Sequence, residues 1–156
     1  RAGAKVGIVG REDATRARRT AEDCNRRYGT KVEPVEASTE SLKAAMMQKA
    51  EVALATAKAG YRVVSAELLA EAPRLLVAAD VNAVPPAGVE GVDALDEGKP
   101  LEAGSGKAVG IGALAIGNIK YQTQRSLLEA MLQSDKALYL DLQDAFTQAR
   151  KHAGIA

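Results

Sequence analysis

Short apolar runs alternate along this chain with stretches whose apolar residues recur every three or four positions, the rhythm of strands and helices taking turns. Lys5-Val-Gly-Ile-Val-Gly10 has the length and β-branched content of a buried strand. Asp13 is placed to cap a helix whose Ala17, Ala21, Cys24 and Tyr28 share one face, and Gly29 is its natural stop. Lys31 to Ala37 predicts a second strand, with Pro34 placing it near an edge. Ser38 or Thr39 caps a second helix that turns Leu42, Ala45, Met46 and Ala50 inward. Glu51 to Thr56 is the next strand. A helix from about Ser65 then buries Leu68, Leu69 and Ala72 and ends at Pro73, before the apolar run Leu75 to Ala79.

From Asp80 to Gly106 the rhythm breaks into Pro85, Pro86, Gly88, Gly91, Gly98, Pro100, Gly104 and Gly106, too long a stretch for a passive connection. Lys107 to Gly112 returns as a strand. A helix is predicted over 118–133, burying Leu127, Leu128, Met131 and Leu132. A last one over 141–153 starts at Asp141 and buries Leu142, Ala145, Phe146 and Ala149. The expected fold is α/β, a Rossmann-like parallel sheet with helices on both faces. A doubly wound nucleotide domain opens with a strand, a glycine-rich turn and a helix that takes the pyrophosphate. Arg1-Ala-Gly-Ala reads instead as the tail of that helix, so the domain is expected to lack its first strand.

Composition narrows the function. Among 156 residues, 21 basic and 20 acidic side chains leave a net charge of +1, which argues against a nucleic-acid platform or an anionic-membrane binder. No apolar run reaches the roughly 18 residues of a membrane span, and the start carries no apolar signal core. The single cysteine, Cys24, allows no internal disulfide and no cysteine-based metal cluster, so no metal is expected. A cytoplasmic enzyme or binding module remains.

Candidate chemistry gathers at strand ends. Gly10-Arg11 closes the first visible strand, where dinucleotide-binding folds meet the adenosine ribose; an arginine there accommodates a 2′-phosphate and favours NADP. Glu12 beside it could accept from a free 2′-hydroxyl and admit NAD. In Thr56-Ala57-Lys58-Ala59-Gly60, the small Ala57 and Ala59 beside Thr56 let the backbone approach a flat cofactor, or form an ordinary turn. Asn82 is placed to touch a nicotinamide amide, with Asx-turn capping as the competing role. Gly104-Ser-Gly-Lys107 lacks the order of a phosphate loop, since Ala108 follows the lysine, and its glycines suit close packing. Lys120, read as standing at a helix start, opposes the helix dipole and is more credible with a ligand to meet. His152, the only histidine, has no metal-ligating companion and no obvious serine partner in sequence.

At Val81-Asn-Ala-Val-Pro-Pro-Ala-Gly-Val-Glu-Gly-Val-Asp93 and Ala113-Leu-Ala-Ile-Gly-Asn-Ile-Lys120 the chain resembles the bacterial NAD(P)-dependent methylene-tetrahydromethanopterin dehydrogenases. The resemblance implies most of their Rossmann-type NAD(P)-binding domain over 1–156, with helices 118–133 and 141–153 closing toward a missing N-terminal domain. It implies NADP or NAD as cofactor and hydride transfer from a methylene-bridged tetrahydropterin, with Lys120 near the pterin. These 156 residues alone are expected to form an incomplete catalyst. A homo-oligomer in cytoplasmic one-carbon metabolism is the accompanying expectation. A methylene-tetrahydrofolate dehydrogenase of the same build, or a nucleotide-binding module without turnover, are the alternatives.

Overall fold

A computed structural model describes residues 3–10 and 14–155. Asp13, the expected cap, lies outside the described residues, as do Arg11 and Glu12. The elements run β1 (Gly7–Val9), α1 (Ala14–Tyr28), β2 (Glu33–Val35), α2 (Glu40–Met47), β3 (Val52–Ala55), α3 (Ala66–Ala70), β4 (Val77–Asp80), β5 (Glu97–Pro100), β6 (Val109–Ile111), α4 (Ala113–Leu132) and α5 (Leu142–His152). The parallel-dominated α/β architecture matches the sequence pattern, and no described helix is long and apolar enough to cross a membrane.

The strands form two hydrogen-bonded sheets rather than the single sheet the alternation suggests. β1 and β2 pair in parallel, and β3-β4-β6-β5 form the second sheet, parallel except for β5. In the small sheet α1 buries Ala17 and Ala21, while Tyr28 at the end of the same stripe is exposed. Gly29 adopts φ +59° and stops the helix as expected. Asn25 makes the reversal: its Oδ1 accepts from Val32 N at 2.7 Å and Thr30 Oγ1 at 2.9 Å, and its Nδ2 donates to Val32 O at 2.9 Å.

The larger sheet carries the core. Met47, Ala55, Leu69, Ala72, Leu75, Ala78, Val89, Val92, Leu101 and Ala108 form one buried cluster. Ser65 caps α3 by accepting from Leu68 N, and Leu68, Leu69 and Ala72 are buried as the spacing predicts. Thr39 caps α2, but the helix is turned so that Met47 is buried while Leu42 and Ala45 are exposed. Met46 and Ala50 still pack against the core.

Two departures alter the second half. The polar strand β5 lies inside the proline- and glycine-rich stretch and pairs antiparallel with β6 across an irregularity between Glu97 and Lys99. No apolar alternation announces it, because all four residues are exposed at the sheet edge. And α4 begins at Ala113, five residues before the expected Asn118. Ala113-Leu-Ala-Ile are good helix formers, Gly112 takes the extended N-cap conformation, and Leu114 N finds Ala94 O at 2.8 Å. Gly117 therefore lies inside the helix, where it forces nothing.

Candidate functional site

Strand register decides which residues can share a site. Ala55 pairs with Asp80 and Ala79 with Ile111, so the segments leaving β3, β4 and β6 emerge at the same, carboxyl-terminal edge. Ligands of open α/β sheets sit outside that edge. The segments are the turn 56–60, the loop 81–92 and the start of α4.

Asp80 organises the loop. This last residue of β4 is 1% exposed, and its carboxylate accepts from Asn82 N at 3.0 Å, Gly88 N at 2.5 Å and Val89 N at 3.3 Å. The loop's far end is tied to the neighbouring chain: Val63 N and Val64 N donate to Gly88 O, Glu90 N donates to Val64 O, and the Glu90 carboxylate accepts from Ala66 N. Glu90 also pairs with Arg62 at 3.2 Å. Between these anchors, residues 83–86 are exposed and include the cis Pro85-Pro86 bond.

Asn82 joins two of the segments. Its Nδ2 donates to Ala57 O at 2.9 Å, stitching the loop after β4 to the turn after β3. The Asx-type turn is made by Asp80 instead, so that competing role for Asn82 is set aside. With Nδ2 engaged, Oδ1 is an acceptor with no partner among the described residues. Thr56 and Ala59 are exposed and Ala57 half-buried in the same turn, whose Gly60 has φ +80° and lies beside Pro85 O. Lys58 of this turn stands over the Tyr61 ring at 5.9 Å and supplies a cation at the edge.

Thus Thr56, Ala57, Ala59 and Asn82 come together. Gly10 follows β1 in the other sheet and has no hydrogen bond to this group, and Arg11 lies outside the described residues. Lys120 is exposed, two turns into α4 rather than at its start. The dipole argument applies to the first turn only, so the earlier start of the helix removes it. What remains for Lys120 is exposure without an ion pair or hydrogen bond among the described residues.

Gly104, Gly110 and Gly112 are packing devices, whereas Gly106 stands in open space and serves a backbone turn at φ +69°. A Cβ at Gly104 would come 2.9 Å from Leu69 O, and one at Gly112 would come 2.1 Å from Asp93 O and 2.4 Å from Ala94 O. Asp96, also buried, accepts from Asp93 N at 2.8 Å and holds the turn that meets α4.

His152 does have a serine partner: its Nε2 lies 2.9 Å from Ser126 Oγ, bridging α5 and α4. A spacing of 26 residues hid the pair from sequence reading. No carboxylate joins it by a hydrogen bond among the described residues, so it is a clasp between helices rather than a nucleophilic relay. The described residues also contain no group of three or more His, Cys, Asp or Glu arranged to hold a metal.

Concavities elsewhere do not compete chemically. One of about 290 Å³ lies along α4 between Tyr121, Leu128 and Leu132; another of about 360 Å³ lies between Glu90, Asp93 and Lys99. Neither gathers the strand-end residues. In the second, Glu90, Asp93 and Lys99 are already engaged: Lys99 pairs with Asp93 at 3.5 Å and Glu90 with Arg62 at 3.2 Å.

Comparison with known proteins bears on what this edge holds. No family model matches the chain. It is 42% identical over 152 residues to the NAD(P)-dependent methylenetetrahydromethanopterin dehydrogenase of Methylorubrum extorquens, covering 97% of this chain and 50% of that protein. It is 27% identical over 151 residues to the bifunctional protein MdtA of the same organism, again covering 97% of this chain and 50% of the relative. The chain therefore spans about half the length of the curated relatives it matches. Along almost all of its own length, this chain is similar to half of an NAD(P)-dependent methylenetetrahydromethanopterin dehydrogenase.

Proposed function

We propose that this chain is the cofactor-binding portion of a dehydrogenase that moves a hydride from methylene-tetrahydromethanopterin to NADP or NAD, giving the methenyl pterin. The observation that carries the reading is the 42% identity sustained over 97% of the chain. The strand-end geometry fits a dinucleotide: small residues at Ala57 and Ala59, and a spare acceptor on Asn82, stand at the edge where such ligands sit.

Nicotinamide, when bound, supplies the hydride acceptor. The chain's residues then have only to bind and orient. The bridging methylene carbon lies between two nitrogens whose lone pairs stabilise the cation left behind, so no side-chain acid, base or nucleophile is required. Asn82 Oδ1 accepts from the carboxamide and orients the ring. Gly10 allows close approach at the end of β1, and Arg11 pairs with the 2′-phosphate. Lys120, exposed on α4, meets the pterin. In this reading the apolar face of α4 and α5 meets a second domain. Cytoplasmic residence and homo-oligomeric assembly belong to the same proposal, resting on the composition and the resemblance.

The test is an assay of the protein expressed from its own gene, with methylene-tetrahydromethanopterin and methylene-tetrahydrofolate, each against NADP and NAD. Reduction of neither nucleotide with either pterin sinks the dehydrogenase reading and leaves a binding module; turnover with the folate alone corrects the substrate. Arg11→Ala then assigns the cofactor contact. Loss of a charge-assisted hydrogen bond of about 1.5–3 kcal/mol weakens NADP roughly ten- to hundredfold and leaves NAD nearly unchanged. Equal loss for both nucleotides removes Arg11 from the 2′-phosphate.

A further inference from the structure

We propose that Asp80 is a positioning residue for the nicotinamide end of the cofactor, an inference that rests on the function proposed above. A carboxylate buried away from water is costly unless hydrogen bonds replace its hydration. Asp80 meets that condition with backbone amides alone, and no cation pairs with it among the described residues. The three donors come from both ends of one loop: Asn82 N on one side, Gly88 N and Val89 N on the other. One side chain thereby closes the exposed span 83–86 into a fixed arch.

The neighbours are fitted to this carboxylate. A Cβ on Gly88 would stand 3.0 and 3.1 Å from the two Asp80 oxygens and 3.3 Å from Ala55 Cβ, so glycine gives the amide its close approach. Gly88 O accepts from Val63 N and Val64 N at 2.8 and 3.0 Å, which carries the knot into the adjoining segment. The consequence falls on Asn82. Its main chain is held by Asp80 and its amide nitrogen by Ala57 O, which leaves Oδ1 as a preorganised acceptor at the sheet edge. A carboxamide N–H binding there meets a group whose freedom is already spent, so less ordering opposes binding. Asp80 touches no ligand itself; it acts through Asn82 and the arch.

The experiment measures binding of NADP and of 2′-phospho-ADP-ribose, its nicotinamide-free counterpart, by calorimetry on the protein expressed from its own gene. Asp80→Asn keeps the shape but turns an NH2 or a single carbonyl oxygen toward amides that need acceptors on both sides. It should weaken NADP by about tenfold while 2′-phospho-ADP-ribose stays within about twofold, because only the nicotinamide end needs the arch. Gly88→Ala pushes on the same carboxylate and should give the same split at smaller size, and it decides the matter if Asp80→Asn does not fold. Equal weakening of both ligands in a folded variant marks a merely structural role and overturns the proposal. So does unchanged NADP binding. Wild-type protein that binds neither ligand overturns the dinucleotide reading and this inference with it, whereas wild-type binding with unsplit variants removes Asp80 alone.

Discussion

The β3–β4 layer and the α4–α5 hairpin are both rich in aliphatic residues, yet only the layer closes a core over them, on one face of its sheet, while Val52 and Leu54 of β3 stay exposed on the other. Around β4, Leu69 and Leu75 are 0% and 1% exposed, and even a carboxylate, Asp80, is sealed in with three amide donors. On the hairpin, Leu132 is 86% exposed and Leu142 and Phe146 are more than half exposed, although their helical spacing predicts burial. The helices pack on each other and share the Ser126–His152 clasp, but Thr123, 6% exposed, is the only buried residue of α4. Amphipathic spacing tells which residues of a helix share a face. It does not tell whether the partner for that face lies within the same chain.

That contrast can be broken most sharply at the junction of the two regions. Gly112→Ala places a Cβ about 2 Å from the carbonyl oxygens of Asp93 and Ala94, backbone atoms that have no side-chain freedom to yield. It should cost more than about 4 kcal/mol, the range of severe steric lesions, and leave little folded protein by circular dichroism. A folded variant with near-normal melting would show that the α4 start moves independently of the sheet. A cavity in the layer comes next. Leu69→Ala removes a fully buried side chain from the core cluster and should cost about 2–5 kcal/mol in denaturant unfolding. The smallest change belongs to the hairpin: Leu132→Ala removes exposed atoms and should alter the stability of these 156 residues by no more than about 0.5 kcal/mol. A loss as large as that of Leu69→Ala would mean that the helix face is covered in solution.

The strand–helix alternation as far as β4, a cap at Ser38 or Thr39, a helix start near Ser65, the stop at Gly29 and the inward triad Leu68, Leu69 and Ala72 were legible in the chain. Each is a local property: a cap bonds two or three residues away, and a buried face repeats every turn. The same holds for the strand-end position of Thr56, Ala57 and Asn82, which follows from where the apolar runs stop. The resemblance carried by the proline-rich loop and the Gly-Asn-Ile-Lys segment was legible as well.

What the tertiary structure alone decided involves partners far away in sequence or energies set by several groups together. Asp80 reads as an ordinary polar residue after a strand until Gly88 and Val89 fold back onto it, eight and nine residues later. Asn82 reads as a nicotinamide contact or an Asx cap, and its bond to Ala57 O, 25 residues away at 2.9 Å, exists only once β3 and β4 pair. The start of α4 lies five residues before the expected Asn118 because the boundary is set by Ala94 O and the crowded backbone at Gly112. The strand β5 escaped notice because an exposed edge needs no apolar pattern, only hydrogen bonds to β6. Local chemistry is written residue by residue, and the sequence by itself determined it here. Long-range hydrogen bonds and the identity of the surface that covers an apolar face depend on which segments meet in space, and only the folded chain settles that.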